Sequence, residues 1–236
     1  MHEYFRKVKI VFLLTLLFVV STSSFSEFEN DHMPFVSEEP GLKESLYGKL
    51  QLSQVGLKKD VFDKAITGWN ILFEKQHLEK AHLLSIADLS QSSNSKRLYV
   101  IDMVEEKLLF NTYVAHGRNS GEEFAHSFSN KPNSNKSSLG FYVTESIYQG
   151  AHGLSMRLKG IETGINDNAE QRGIIVHGAR YVHESFIKQT GRLGRSKGCP
   201  AIPQELCKPI VNTIKGGSCF FIFYPDSTYL KKSALL

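Results

Sequence analysis

Two short runs in the C-terminal third of the chain hold residue types that suit nucleophilic chemistry: His177-Gly178 and Ser196-Lys197-Gly198-Cys199. A thiol is an effective nucleophile once a base takes its proton, and imidazole titrates in the range that task requires. Cys199 is therefore the candidate nucleophile and His177 its candidate base. Gly198, lacking a Cβ, lets backbone N–H groups approach a developing oxyanion, which completes the parts of an acyl-transfer site. Cys199 lies in the turn-like run from Gly194 to Pro200, where glycine admits unusual dihedrals and proline stiffens the exit. His177 follows the apolar Ile174-Ile175-Val176, so its imidazole is expected at the end of a rigid strand.

The remaining cysteines and histidines limit the alternatives. With Cys199, Cys207 and Cys219 the chain holds an odd number of thiols, so at least one stays unpaired. Keeping Cys199 free leaves Cys207 and Cys219 either as a bridge or as two buried small residues, and the sequence does not choose between them. His116, His126, His152, His177 and His183 have neither the His-Glu-x-x-His nor the paired Cys-x-x-Cys spacing of a zinc site. No metal and no other cofactor is expected. His152, next to Gly153, is a candidate substrate contact, with a structural loop hydrogen bond as its alternative. Ser196 has two readings as well, a bond inside the cysteine turn or help for a substrate carboxylate.

These residues need elements to position them. Arg6, Lys7 and Lys9 precede an apolar run from Ile10 to Val20 and the small, polar Ser21 to Ser26, so residues 1–26 read as a secretory signal peptide. The run is short for a membrane span, and no stable span is expected after cleavage. Residues 27–40 read as a polar linker ending at Pro40. Over 41–84, Leu46, Leu50, Val61, Phe62, Ala65, Ile66, Trp69, Leu72 and Phe73 recur at helical spacing, which predicts a helical N-terminal extension. Residues 85–236 read as the catalytic domain. Leu98 to Asp102 and Leu108 to Val114 predict a hairpin. Further strands are expected at Leu139 to Thr144, Gly153 to Leu158, Gly173 to His177 and Cys219 to Tyr224, with a helical turn at Val182 to Gln189. The fold class is mainly β with α, a sandwich or barrel carrying a helical extension.

A formal net charge of +4, smaller still without the N-terminal Arg6, Lys7 and Lys9, gives no electrostatic case for nucleic acid.

The His-Gly run and the later Ser-x-Gly-Cys resemble the signature of the murein L,D-transpeptidase (YkuD-like) catalytic family. Lys136-Ser137-Ser138-Leu139-Gly140-Phe141-Tyr142-Val143 is similar to a strand that precedes the signature in such enzymes. Val114 to Gly121, Gly164 to Ala169 and Gly191 to Ser196 extend the resemblance. It implies a Cys199 nucleophile, a His177 general base and acid oriented by the Gly178 carbonyl, and an oxyanion site from the Gly198 and Cys199 N–H groups. It further implies peptidoglycan stem peptides as partners and a periplasmic or envelope location. L,D-transpeptidation is the implied reaction. The same site with water as acceptor, an L,D-carboxypeptidase or endopeptidase, and a non-catalytic wall-binding module are the alternatives. The sequence departs from the pattern in two places: Lys197 stands where many relatives have histidine, and Pro200-Ala201-Ile202-Pro203 replaces a usual arginine. Arg195, Arg192 or Arg180 is expected to supply the missing positive charge, while most of Arg157, Arg172, Arg180, Arg192 and Arg195 are expected to be solvated surface charges.

Overall fold

The computed structural model describes residues 40–236, with side chains from residue 45 onward. The segments expected to be a signal peptide and, nearly all of it, a linker lie outside the described residues. Helices α1 (Pro40–Lys49) and α2 (Lys59–Glu74) open the described chain. In α2, Val61, Phe62, Ala65, Ile66, Trp69 and Leu72 are buried, three or four residues apart as a single packed helical face requires. Trp69 Nε1 donates to Ala81 O at 2.7 Å and fastens the helix to the chain entering the first strand.

The helical segment expected to reach residue 84 ends at Glu74, and Leu83–Asp88 is strand β1. Its run Leu-Leu-Ser-Ile-Ala-Asp is buried at every position. A strand covered on both faces has no polar face to give the two-residue alternation, and periodicity alone does not separate it from a buried helix. Strands β2 (Leu98–Asp102), β3 (Lys107–Thr112), β4 (Gly140–Gly150), β5 (Gly153–Gly160), β6 (Ile175–Ala179), β7 (Ala201–Pro203) and β8 (Cys219–Phe223) join it in one eight-stranded sheet. Its order is β3-β2-β1-β8-β4-β5-β6-β7. The β1–β8 and β6–β7 pairs are parallel and the others antiparallel.

The two edges of the sheet come round to meet. Ala115, just beyond β3, exchanges both backbone hydrogen bonds with Ala201 of β7, at 2.8 and 3.4 Å. The sheet is thus a nearly closed barrel with the helical extension packed on it, an arrangement that leaves few unpaired edge groups. Of the sandwich and barrel that the sequence pattern leaves open, the structure is the barrel.

Helices α3 (Glu184–Thr190), α4 (Gln204–Ile214) and α5 (Ser227–Lys232) complete the chain. The sequence gives α4 no helical reading because Pro203 precedes it and Pro209 lies inside it, and proline ordinarily breaks a helix. Cys207, Ile210, Val211 and Ile214 are nevertheless buried at helical spacing, and that stripe holds α4 against the barrel. Cys199, Cys207 and Cys219 are all free thiols. No helix among the described residues is long and apolar enough to cross a membrane.

Candidate active site

The edge closure also builds the cysteine turn. Residues 115–118 and 196–201 run side by side: Ser196 N–H donates to His116 O at 3.0 Å, and Arg118 N–H donates to Ser196 O at 2.8 Å. With Ala201 tied to Ala115, the chain bulges through Lys197, Gly198 and Cys199 between two fixed points. The bulge closes on Ser196, whose Oγ donates to Cys199 O at 2.6 Å and accepts from Gly198 N–H at 3.0 Å. Gly198 has a φ of +128°, and a Cβ there would lie 2.8 Å from Lys136 O. A side chain at this position would be strained by both the dihedral and the contact.

These bonds bear on two expectations. The Ser196 hydroxyl bonds inside the turn, the first of its two readings. Of the two N–H groups expected to face an oxyanion, that of Gly198 points to Ser196 Oγ. The Cys199 N–H has no partner among the described residues.

Strand β6 places His177 in register with Ala201 of β7, just beyond the cysteine turn. Its Nδ1 lies 3.0 Å from Gly178 O. A carbonyl only accepts, so Nδ1 carries the proton and Nε2 keeps its lone pair. Gly178 is tightly packed against α4: a Cβ there would lie 2.9 Å from Cys207 Cβ. Burial holds His177 below its ordinary pKa, a tendency the Gly178 carbonyl opposes and His152 reinforces. His152, in the turn between β4 and β5, stacks on His177 with ring centroids 4.4 Å apart and planes 22° apart.

Cys199 is half-buried. Burial pushes its thiol up from the usual value, while the Ile175 N–H, Arg172 and its own N–H pull the other way. Its Sγ faces Gly173 O at 3.6 Å, and no hydrogen bond joins it to His177 among the described residues. The shifts favour a neutral thiol beside a neutral imidazole at rest. Both side chains line one cleft of about 280 Å³, together with Arg118, His152, Tyr181, Arg195, Ser196 and Lys197. Cys207 and Cys219 are buried elsewhere and do not line it. A cleft of the same volume against α5 holds no thiol.

The sequence profile of the L,D-transpeptidase catalytic domain family matches residues 53–223. The chain belongs to that family. Among solved structures it is similar to an L,D-transpeptidase from Mycobacterium smegmatis, at 12% identity and TM-score 0.37, over 61% of this chain and 59% of that one. It is similar also to the helical cell shape determining protein of Campylobacter jejuni, at 13% identity and TM-score 0.39, over 69% and 55% of the two chains. A third likeness is to an L,D-transpeptidase from Xylanimonas cellulosilytica, at 10% identity and TM-score 0.34, over 76% and 93%. The chain spans about three fifths of the length of the first of these. No curated protein sequence matches it.

In this L,D-transpeptidase domain the cations are placed differently from the sequence reading. Arg195 lines the cleft, but its Nη1 donates to Glu122 Oε1 at 2.6 Å and to Gly121 O at 3.0 Å. Arg192 pairs with the same carboxylate at 2.8 Å. Arg180 is exposed and does not line the cleft. Arg118 was not singled out from sequence; it is exposed, lines the cleft, and its guanidinium has no ion-pair partner among the described residues. Only the bridging of 117 to 196 brings it to the cysteine turn, and no spacing in the sequence signals that. Arg172 is not solvated either: it donates to four acceptors on the loop before β4.

A buried cation stands beneath the 115–121 strip. Arg97 is fully buried; it donates to Val114 O at 3.0 and 3.1 Å and to His116 Nδ1 at 2.8 Å. His116 Nε2 then donates to Gly121 O, 3.3 Å away. Burial first and Arg97 second push His116 down from 6.5 to about 4, so it serves as a neutral strut.

Proposed function

We propose that this domain is a cysteine acyltransferase of peptidoglycan, an L,D-transpeptidase acting on tetrapeptide stems in the bacterial cell envelope. What carries the reading is one cleft lined by Cys199, by His177 with its Nε2 lone pair free, and by cations with no carboxylate among its lining residues. Stem peptides bear carboxylates, and guanidinium groups bind these through charge-assisted hydrogen bonds. Arg118 is the side chain we assign to that task in place of Arg195.

The reaction follows from the parts. His177 Nε2 takes the Cys199 proton as sulfur attacks the carbonyl between the L-centre of the stem's diamino acid and its terminal D-alanine. The carbonyl π pair moves to oxygen, where the Cys199 N–H receives it. Collapse breaks the C–N bond, the His177 imidazolium protonates the departing D-alanine amine, and a thioester remains. A side-chain amine of a neighbouring stem, deprotonated by His177, then attacks the thioester; sulfur leaves and the thiol is restored. With water as acceptor the product is a trimmed tripeptide.

The test is incubation of the reduced, full-length protein with tetrapeptide muropeptides, products being read by chromatography and mass spectrometry against Cys199→Ala. Cross-linked dimers absent from the control are expected. Tripeptides alone would move the assignment to L,D-carboxypeptidase, and no conversion by the folded protein would refute the enzymatic reading in favour of a wall-binding module.

A further inference from the structure

Behind the nucleophile sits a cation that takes no part in this reaction scheme. Arg172 ends the turn region before β6, and its guanidinium is held by the 117–138 loop. Nη1 donates to Ser129 O at 2.7 Å and to Ser138 Oγ; Nη2 donates to Lys136 O at 2.6 Å and Ser134 Oγ at 3.2 Å. All of these acceptors are neutral, and no Asp or Glu pairs with it among the described residues. A half-buried guanidinium whose donors are met only by neutral groups keeps an uncompensated positive charge.

That charge lies against the cysteine turn. A Cβ on Gly198 would be 3.2 Å from Arg172 Nη2 and 2.8 Å from the Lys136 carbonyl that the guanidinium grips. The Cys199 thiol itself faces the carbonyl of Gly173, the residue after Arg172. Gly198 is thus the gap through which the cation approaches the Gly198–Cys199 peptide. Loop contact and close approach to the cysteine turn are made by one group, and Ser137 of the same loop adds a bond from its Oγ to Gly198 O at 3.2 Å.

We propose that Arg172 is a positioning residue that couples docking of the 117–138 loop to the reactivity of Cys199, its fixed charge favouring the thiolate and the charge that builds on sulfur. The proposal rests on the assignment of Cys199 as nucleophile. Arg172 pulls the thiol down against the upward push of burial, in the direction the geometry requires. Other titratable and charged groups facing the thiol's cleft are His152, His177, Tyr181, Arg118, Arg195 and Lys197; Arg195 also grips the 117–138 loop, but its guanidinium is paired with Glu122 there, whereas that of Arg172 has no carboxylate partner among the described residues.

The experiment needs no peptidoglycan. Iodoacetamide alkylation of the full-length protein is followed against pH at the Cys199 peptide by mass spectrometry, for wild type, Arg172→Met, Arg172→Gln and Arg172→Lys. A neutral residue at 172 is expected to raise the alkylation midpoint by about one pH unit, and lysine to restore most of it. Glutamine keeps a donor for Lys136 O, so it carries the same expectation if the methionine variant does not fold. An unchanged midpoint in a folded neutral variant overturns the proposal, and so does an equal rise in the lysine variant, which would mark a purely structural role. Absence of muropeptide turnover in the wild type would strike the proposed function while leaving this measurement interpretable.

Discussion

Lowering the pH should destabilise this domain through one buried imidazole, His116, and the size of the effect can be worked out. In the folded state His116 titrates at about 4, against 6.5 for the ordinary group. Between those values the unfolded chain binds a proton that the folded chain refuses, so stability rises with pH and is lost as pH falls from the unfolded value toward the folded one. At about 1.4 kcal/mol per unit, the loss is about 2 kcal/mol at pH 5 and about 3 kcal/mol at pH 4. The cause is structural: protonated Nδ1 could no longer accept from Arg97, and two cations would share a buried site.

The assay is urea unfolding of wild type and His116→Gln from about pH 7.5 to about pH 4. Glutamine can accept from Arg97 and donate to Gly121 without binding a proton in this range. Groups shared by both proteins cancel in the difference. Glu162, whose carboxyl is pushed up by burial, works with the opposite sign, and it too cancels. The wild type should lose about 3 kcal/mol more than the variant across this span. Parallel curves would refute the reasoning, since they would mean that His116 does not titrate differently in the folded state.

The catalytic pH profile should show an acid limb with its midpoint below 6.5, because His177 held below that ordinary value stays a neutral base at lower pH; kcat/KM for muropeptides reads it, and a midpoint above 6.5 would contradict the site's electrostatics. Arg118→Ala should raise KM about tenfold for stems with free carboxylates and change little for amidated ones, which steady-state kinetics on the two substrates would measure. Gly178→Ala puts a Cβ 2.9 Å from Cys207 Cβ, so it should cost about 1–3 kcal/mol of stability, seen as a lower urea midpoint. Replacement of Cys207 by glycine as well should recover part of that loss.

The candidate nucleophile and base, which the structure places on one cleft, were legible in the sequence because each sits beside a glycine that the local geometry demands. Gly198 needs its positive φ, and Gly178 needs room for α4. The strands of the barrel were legible where polar and apolar residues alternate or a turn bounds them. β1 was not, because its six residues, Ser85 and Asp88 among them, are all buried, so no alternation of polar and apolar positions marks it as a strand. α4 was masked by its prolines, although its buried stripe keeps helical spacing. The cation roles were illegible for a different reason. Arg195 is near the cysteine in sequence, yet Glu122 of a distant loop captures it. Arg118 and Arg172 are far from the cysteine in sequence, and only chain crossings bring them to it.

The two kinds of cation in this site bear on why a carbonyl orients His177. A carboxylate on Nδ1 would stabilise the imidazolium and favour a preformed ion pair with the thiolate. The Gly178 carbonyl fixes the same tautomer with only a partial charge. Burial first, and the stacked His152, disfavour a positive charge on the ring, while Arg118, Arg195 and Lys197 line the cleft and Arg172 stands behind the thiol. Negative charge is favoured at the same place, first on sulfur and then on the carbonyl oxygen. An anionic stem entering the cleft would make the imidazolium less costly. On the proposed mechanism, proton transfer from Cys199 to His177 is then easiest when substrate is bound, and the thiol of the free protein, its pKa raised by burial, stays protonated and less open to oxidation. Iodoacetamide should accordingly modify Cys199 slowly at neutral pH in the free protein, with a midpoint above that of an unperturbed thiol.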